Sequence, residues 1–264
     1  MLPVTQLAPS EAQGLQGLIF DLDDTVLDHG KLSEAAYRSL FRLQDSGLQL
    51  IALTGRPASW AELVARMWPV TAAIGENGAI AFLPAAGGLR RMDSVSAEER
   101  QQRTIKLHAL VTAARVAIPL LSPADDVAGR CSDFTFDIGE HCRASEETIR
   151  HAIAFAADRG ARTTRSSVHL HYTFDRIDKA TGALALLSNL GVDATSALTR
   201  YAFIGDSEND APCFAAFRTT IGVQNLKGSF SLLPRFVTRA PGGAGFAEAA
   251  QHLCERRALL RNGG

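Results

Sequence analysis

Acidic side chains follow apolar, strand-like segments at two distant places in this chain. Asp21 and Asp23 follow an apolar run at 18–20, and Asp206 follows another at 202–205. In extended backbone, side chains two residues apart point to the same side, so both carboxyl groups can address one pocket, to which Asp206 can add a third. Two carboxylates about 4 Å apart repel by about 4 kcal/mol at an effective dielectric near 20, and a divalent cation would offset this repulsion. Oxygen ligands without paired His or Cys favour Mg²⁺ over zinc.

A lysine and a strand-to-helix turn add groups of the opposite character. Lys179 stands at the start of a predicted helix, and its compact ammonium group can lie between a phosphoryl oxygen and a carboxylate. Thr54 and Gly55 provide a hydroxyl and an unobstructed backbone N–H at a turn from strand to helix, a place suited to an anion. Together with the acidic residues, these groups predict a phosphoryl-binding site.

The elements that must position these residues follow an α/β pattern. Short apolar β-type runs alternate with helical patterns, which favours a doubly wound, Rossmann-like, mainly parallel sheet. In such a sheet ligands bind at the carboxyl ends of the strands, where the polar groups above are placed. The predicted strands lie at 18–21, 48–53, 72–74, 79–83, 201–204, 219–223 and 235–238, and the predicted helices at 33–47, 59–68, 179–190, 208–217 and 246–260.

The pattern changes after Pro84. Residues 85–88 are typical of a linker, and the helices and strands beyond it are segregated as in an α+β domain. The predicted helices of this part are 96–116 and 145–159, and the strands are 133–138, 161–166 and 168–174. We therefore expect an inserted α+β cap domain at 84–174, within a core formed by 1–83 and 175–264.

Four motifs of this chain resemble those of the haloacid dehalogenase superfamily, and they occur in the same order. They are Asp21-Leu22-Asp23-Asp24-Thr25, Leu53-Thr54-Gly55-Arg56, Asp178-Lys179 and Gly205-Asp206-Ser207-Glu208-Asn209-Asp210. The match is similar to the Cof-type, sugar-phosphate phosphatases of subfamily IIB, in which a cap is inserted between the second and third motifs. The interval between Thr54 and Lys179 leaves room for such a cap. The segment at 74–79 also resembles the one that precedes the cap in that subfamily.

The resemblance implies a role for each matching residue. Asp21 would be the nucleophile that forms an aspartyl-phosphate, and Asp23 would protonate the leaving oxygen and then activate water. Mg²⁺ would be held by Asp21, the backbone carbonyl of Asp23, and Asp206, with Asp210 nearby or acting through water. The transferred phosphoryl group would be held by Thr54, Gly55, Lys179 and Asn209.

Six further polar residues are candidate substrate contacts. His169 and His171 share one face of a predicted cap strand, and two arginines flank that strand, where they can meet a second anionic group of the substrate. For the histidines a structural role, and for Arg56 a salt bridge, are alternative interpretations. The candidate contacts are Arg56, Asn77, Arg165, His169, His171 and Arg176.

The composition disfavours several other classes of protein. The chain has 264 residues with 27 Lys+Arg and 28 Asp+Glu, a formal net charge of −1, which argues against nucleic acid or an anionic membrane as the main partner. No apolar run reaches the roughly 18 to 20 residues of a membrane-spanning helix. The four cysteines lack the spacing of a zinc ribbon or a disulfide framework. We expect a cytoplasmic protein, because no signal-peptide pattern is present; the sequence indicates no oligomeric state.

We predict a Mg²⁺-dependent phosphatase that hydrolyses a small phosphomonoester. The resemblance implies a sugar phosphate, as in sucrose-phosphate, trehalose-phosphate or mannosyl-3-phosphoglycerate phosphatases. One alternative is a mutase similar to phosphomannomutase, which returns the phosphoryl group to the sugar. A second is a non-catalytic phosphosugar-binding or phospho-accepting module. A haloalkanoate dehalogenase is disfavoured, because that chemistry needs neither Mg²⁺ nor a second aspartate.

Overall fold

Buried apolar strands alternate with helices in the first and last parts of the chain. The computed structural model describes residues 1–166, 168–226 and 231–258. Within these residues the larger sheet has nine strands, in the spatial order Leu2–Pro3, Phe236–Val237, Thr219–Gly222, Tyr201–Gly205, Gly17–Phe20, Gln49–Leu53, Ala72–Gly75, Ile80–Ala85 and Gly88–Asp93. The first seven pair in parallel, and the last two extend the sheet as an antiparallel hairpin.

Helices cover both faces of this large sheet. Leu18 and Phe20 belong to the apolar core on one face, whereas Ile19 belongs to the core on the other, because successive side chains of a strand point to opposite faces. The α-helices outside the cap are Pro9–Gly14, Glu34–Asp45, Ala58–Met67, Lys179–Asn189, Ala194–Arg200, Ala211–Ala216 and Gly242–Ala258. The predicted doubly wound α/β fold is confirmed. No helix of the described residues combines the length and apolar character needed to cross a bilayer.

The cap has a sheet and an apolar core of its own. Its antiparallel sheet contains Arg162–Arg165, His169–Thr173, Asp133–Asp137 and Ser122–Pro123, and its helices are Ala97–Ala117 and Glu146–Ala157. Phe136 and Tyr172 pack edge to face, with ring centroids 5.0 Å apart, among apolar side chains of both helices. The predicted α+β cap is confirmed. Its boundaries at 84 and 174 stay a prediction, and the separate cap elements lie after Asp93.

Several local predictions differ from the structure. Residues 85–88 are not a linker but the turn of a hairpin in the large sheet, in which Gly87 and Gly88 have φ angles of +86° and +153°. The last helix begins at Gly242 instead of 246, because glycines there allow close approach: a Cβ on Gly243 would lie 2.9 Å from the carbonyl oxygen of Val26. Its predicted end at 260 lies outside the described residues. The predicted helix at 208–217 is a 3₁₀ turn followed by a short α-helix.

A strained turn between the strands Ala72–Gly75 and Ile80–Ala85 lies against the helix that begins at Lys179. Glu76 and Asn77 have left-handed φ angles of 50° and 54°, which non-glycine residues adopt at a cost. The turn packs directly on this helix, since a Cβ on Gly182 would lie 2.4 Å from the Cα atom of Gly78. The backbone of the turn and the start of the helix are therefore fixed relative to each other.

Candidate active site

Acidic side chains from neighbouring strands meet at one end of the large sheet. Asp21 follows the strand Gly17–Phe20, and Asp206 follows Tyr201–Gly205, its parallel neighbour. Each of Asp21, Asp206 and Asp210 has a carboxylate oxygen within 4.8 Å of the others, and all three are buried. The first motif, with Asp21, and the fourth, with Asp206 and Asp210, therefore come together as the sequence predicts.

The ammonium group of Lys179 lies inside this acidic cluster. Its Nζ is 2.9 Å from Asp21 Oδ1 and 2.6 Å from Asp210 Oδ1. Asp178 caps the helix and accepts the backbone N–H of Thr181, so the helix begins at the lysine and directs it toward the strand ends. Burial acts to lower the pKa of Lys179, but the two carboxylates raise it above its ordinary value, and the group stays charged.

The acidic cluster carries more negative charge than Lys179 neutralises. Burial raises the pKa of Asp21 to about 7; Lys179 opposes this shift, and Asp210 and Asp23 add to it. Burial, followed by the charges of Asp21 and Asp210, also raises the pKa of Asp206 well above its ordinary value. Buried carboxylates with a deficit of positive charge, and no paired nitrogen or sulfur ligand among them, match the preference of a hard divalent cation such as Mg²⁺.

Asp210 has its carboxylate oxygens occupied by the protein. Oδ1 accepts a hydrogen bond from Lys179, and Oδ2 accepts the backbone N–H groups of Asp206 and Ser207, at 2.9 and 3.1 Å. A Cβ on Gly205 would lie 2.3 Å from Oδ2, which explains why a glycine precedes Asp206. In this arrangement Asp210 orients Lys179 and the loop that carries Asp206.

Asp23 is held by Arg56. Arg56 Nε donates to Asp23 Oδ2 at 2.9 Å and Nη2 donates to Oδ1 at 2.9 Å, a two-pronged ion pair. Arg56 also reaches Glu140 of the cap. The salt-bridge alternative for Arg56 is therefore what the structure contains.

The residues predicted to hold the phosphoryl group lie side by side next to the acidic cluster. Thr54 Oγ1 is buried and accepts the backbone N–H of Arg56 at 3.0 Å. Asn209 Nδ2 donates to Asn77 Oδ1 at 3.2 Å, and a Cβ on Gly55 would lie 3.2 Å from the same oxygen. Predicted contacts from the second and fourth motifs, and from the turn before the cap, therefore meet at one place.

A small cavity joins the core site to the cap. Its volume is about 30 Å³, room for about one or two water molecules. Both predicted cap histidines line it. Its walls are formed by Asp21, Asp23, Gly55, Ser166, Val168, His169, His171, Asp206, Ser207 and Asn209.

The two histidines have different surroundings. His171 Nδ1 lies 2.9 Å from both Asp133 Oδ2 and Thr135 Oγ1; burial lowers the pKa of His171, and its contact with Asp133 opposes the shift. His169 Nε2 lies 2.7 Å from Glu140 Oε2, but the two atoms are misaligned, and within the described chain this buried nitrogen has no hydrogen-bond partner. His171 is thus fixed inside the cap, whereas His169 has an unused polar atom.

The two predicted arginine contacts lie farther out. Arg165 is exposed and paired with Glu146, although it lines a neighbouring cavity of about 490 Å³ that also contacts Lys179 and Asn209. Arg176 is exposed and lines neither of these cavities. The structure brings the core candidates and both histidines together, but not Arg176.

Comparison with known proteins relates the first part of the chain to a known family. The sequence model of the haloacid dehalogenase-like hydrolases matches residues 18–107. The resemblance inferred from the four motifs is thereby confirmed, although no curated protein sequence matches the chain significantly.

Solved structures share this haloacid dehalogenase-like fold over most of the chain. A Thermoplasma acidophilum protein, number 0175, is 19% identical with a TM-score of 0.71, covering 90% of this chain and 98% of that one. The sucrose-phosphatase of Synechocystis, solved with sucrose and phosphate, is 17% identical with a TM-score of 0.66 and the same coverage. A sugar phosphatase of subclass IIB is 16% identical with a TM-score of 0.64, again over 90% and 98%.

A buried glutamate, Glu76, also belongs to this candidate site, and the motifs of the sequence do not point to it. Glu76 Oε1 accepts the backbone N–H groups of Ala58 and Cys131, and Oε2 accepts those of Ser132 and Asp133 as well as the Ser132 hydroxyl, at 2.5 to 3.1 Å. Burial raises the pKa of Glu76, and the donors from Ser132 and Cys131 oppose the shift. The signal in the sequence was a charged residue inside an otherwise apolar hairpin.

Arg130 of the cap was missed as well. Its Nη1 donates to the backbone carbonyl of Gly55 at 3.0 Å and to Asp133 Oδ1 at 2.9 Å. Asp133 in turn contacts His171. The turn at Thr54 and Gly55 is therefore linked through Arg130 and Asp133 to a histidine that lines the small cavity.

We predict that Glu76→Gln lowers the free energy of unfolding by about 1–3 kcal/mol, because the amide loses charge-assisted hydrogen bonds and turns an N–H₂ group toward backbone donors. Glu62→Gln is the matched control, since Glu62 pairs with Arg66 one helical turn away at the surface, and we expect a change within about 0.5 kcal/mol. Chemical denaturation measures both. Equal stability of the two variants would contradict the role given to Glu76.

Proposed function

We propose that this protein is a Mg²⁺-dependent phosphoric monoester hydrolase that acts on a small phosphorylated substrate, a sugar phosphate, through an aspartyl-phosphate. The observation that carries this proposal is the buried Asp21 carboxylate with the Lys179 ammonium 2.9 Å away and Asp206 beside it. A carboxylate serves as a nucleophile toward phosphorus when positive charge nearby reduces its repulsion from the phosphoryl oxygens.

Asp21 acts as the nucleophile of the reaction, and Asp23 transfers the protons. A carboxylate oxygen of Asp21 attacks phosphorus, the ester P–O bond breaks, and Asp23 gives a proton to the leaving oxygen. In the second step Asp23 takes a proton from water, which attacks the phosphorus and restores the Asp21 carboxylate. Asp23 suits both steps because it lines the same cavity and is less buried than Asp21.

The remaining core residues bind and neutralise the phosphoryl group. The Thr54 hydroxyl, the Gly55 N–H, the Lys179 ammonium and the Asn209 amide supply donors at the strand ends. Asp21, Asp206 and the backbone carbonyl of Asp23 would hold Mg²⁺, which when bound would neutralise charge on the phosphoryl oxygens. Asp210 supports this set by orienting Lys179 and the Asp206 loop.

A cap that opens and closes would admit the substrate. The cavity that Asp21 and Asp23 share with the cap histidines is about 30 Å³, and we interpret this narrow space as the closed state of the cap. Contacts from Glu76, Arg56 and Gly55 to the cap would have to rearrange on opening. Closure over bound substrate would exclude water from the first step. Of the cap predicted at 84–174, the part that would move is the part after Asp93, since 80–93 form a hairpin of the large sheet.

The sugar-phosphate assignment draws on the comparisons. Structures similar to this chain include a phosphatase solved with sucrose and a subclass IIB sugar phosphatase. The cap sheet presents His169 and His171 to the cavity, polar groups suited to sugar hydroxyls. The prediction of a cytoplasmic location stays a prediction.

We predict that the protein releases inorganic phosphate from p-nitrophenyl phosphate and from at least one of a panel of sugar phosphates. Asp21→Asn reduces kcat/KM by about a thousandfold or more, because the nucleophile is lost. Asp45→Asn, at the exposed end of a helix, is the matched control with unchanged activity. A phosphate-release assay with separation of sugar-phosphate isomers makes the comparison. An isomerised sugar phosphate without free phosphate would instead favour a mutase, and full activity of Asp21→Asn would refute the mechanism.

Metal binding can be measured without turnover. We predict that saturating Mg²⁺, at about 100 times its Kd, raises the Tm of the wild-type protein by roughly 5–10 °C, because a ligand that binds only the folded state stabilises it. Asp206→Asn would lose most of this rise, and Asp45→Asn would keep it. Thermal denaturation with Mg²⁺ and with EDTA tests this; an equal rise for Asp206→Asn would place the metal elsewhere.

A further inference from the structure

The guanidinium group of Arg56 connects the acid–base candidate of the core to carboxylates of the cap. It binds Asp23 through two nitrogens at 2.9 Å each. The same Nη2 atom lies 3.3 Å from Glu140 Oε1, and Nη1 lies 3.9 Å from Asp126 Oδ2. Its planar face lies 4.8 Å from the ring centroid of Trp60, and the residue is only 7% exposed. Arg56 is thus fixed on several sides.

This arrangement orients Asp23. The two N–H donors of a planar guanidinium group bind both oxygens of a carboxylate and so hold it in one orientation. A flexible lysine would not fix that orientation. Burial acts to lower the pKa of Arg56, but the hydrogen bond to Asp23 and the charges of Asp23, Glu140 and Asp126 raise it. The group therefore stays charged, and its position depends on the carboxylates around it.

The cap holds Glu140 firmly in place. Asp137 ends a strand of the cap sheet, and its carboxylate accepts the backbone N–H groups of Gly139, Glu140, His141 and Cys142 at 2.7 to 3.0 Å. Burial acts to raise the pKa of Asp137, and these backbone donors lower it below its ordinary value. The turn that carries Glu140 is therefore rigid, and Glu140 moves with the cap.

Glu140 also contacts a residue of the catalytic cavity. Its second oxygen, Oε2, lies 2.7 Å from Nε2 of His169, and His169 lines the cavity together with Asp23. The pair is close but misaligned, and the His169 nitrogen is otherwise unpaired in the described part of the chain. Glu140 thus stands between the cavity wall and the arginine that holds Asp23.

We propose that Arg56 is the positioning residue of Asp23 and that Glu140 completes this positioning only when the cap is closed. The proposal rests on the phosphatase function proposed above. The core supplies Asp23 and Arg56, and the cap supplies the carboxylate that fixes the far side of the guanidinium group. Before the step concerned, Asp23 takes up a proton on one oxygen and keeps a hydrogen bond from Arg56 on the other; the P–O bond then breaks and that proton passes to the leaving oxygen, while Arg56 and Glu140 exchange no proton. Acid catalysis is then efficient only under a closed cap.

Two esters of similar size separate this role from general damage to the cap. Phenolate is a more basic leaving group than p-nitrophenolate, so cleavage of phenyl phosphate depends more on a well-oriented acid than cleavage of p-nitrophenyl phosphate does. The experiment measures kcat/KM for both esters, with Mg²⁺, in wild type, Glu140→Gln and Arg56→Lys. Glu147→Gln is the matched control, since Glu147 is exposed on a cap helix. Thermal denaturation of each variant checks the fold.

We expect Glu140→Gln to lower kcat/KM for phenyl phosphate about tenfold and for p-nitrophenyl phosphate much less, so that the ratio of the two falls. Arg56→Lys, which keeps the charge but loses the fork, would lower the ratio at least as much, and Glu147→Gln would leave it at the wild-type value. An unchanged ratio in both Glu140→Gln and Arg56→Lys, including an equal loss on both esters, would overturn this inference while leaving the phosphatase function intact. A wild-type protein that hydrolyses neither ester would overturn both this inference and the proposed phosphatase function.

Discussion

One buried ammonium group holds the candidate active site together. Lys179 Nζ lies between Asp21 and Asp210, and without it a group of buried carboxylates would face one another uncompensated. Removing one partner of a buried ion pair typically costs about 3–5 kcal/mol. The placement of this ammonium depends on the fold: Asp178 starts the helix one residue earlier, and the parallel sheet brings the strand ends of Asp21 and Asp206 to the same edge.

The cap is bound to the core at the residues that surround the candidate phosphoryl site. Glu76 accepts hydrogen bonds from the backbone at 131–133, Arg130 binds the Gly55 carbonyl, and Arg56 lies between Asp23 and Glu140. Each contact joins a cap residue to a turn of the core that carries candidate site residues. In the proposed function, closing the cap would therefore do more than exclude water, because it would also fix the backbone and side chains that act on the ester.

The sequence predicted the core of the site better than its connection to the cap. Strand-end motifs have a fixed geometric meaning, because carboxyl ends of parallel strands share one edge, and Asp21, Lys179 and Asp206 met there as expected. Glu76 and Glu140 carry no such pattern, since their roles arise from contacts across the chain that periodicity does not encode. The hairpin turn at 85–88 was misread because glycines with positive φ serve linkers and tight turns alike.

The most direct test of the central claim removes the ammonium and keeps the shape of its side chain. With Mg²⁺ present, we expect Lys179→Met to lower kcat/KM for p-nitrophenyl phosphate by about 10²–10³, or roughly 3–4 kcal/mol of barrier. Lys106→Met, exposed on a cap helix, would keep wild-type activity. A folded Lys179→Met protein with kcat/KM within about threefold of wild type would contradict the account.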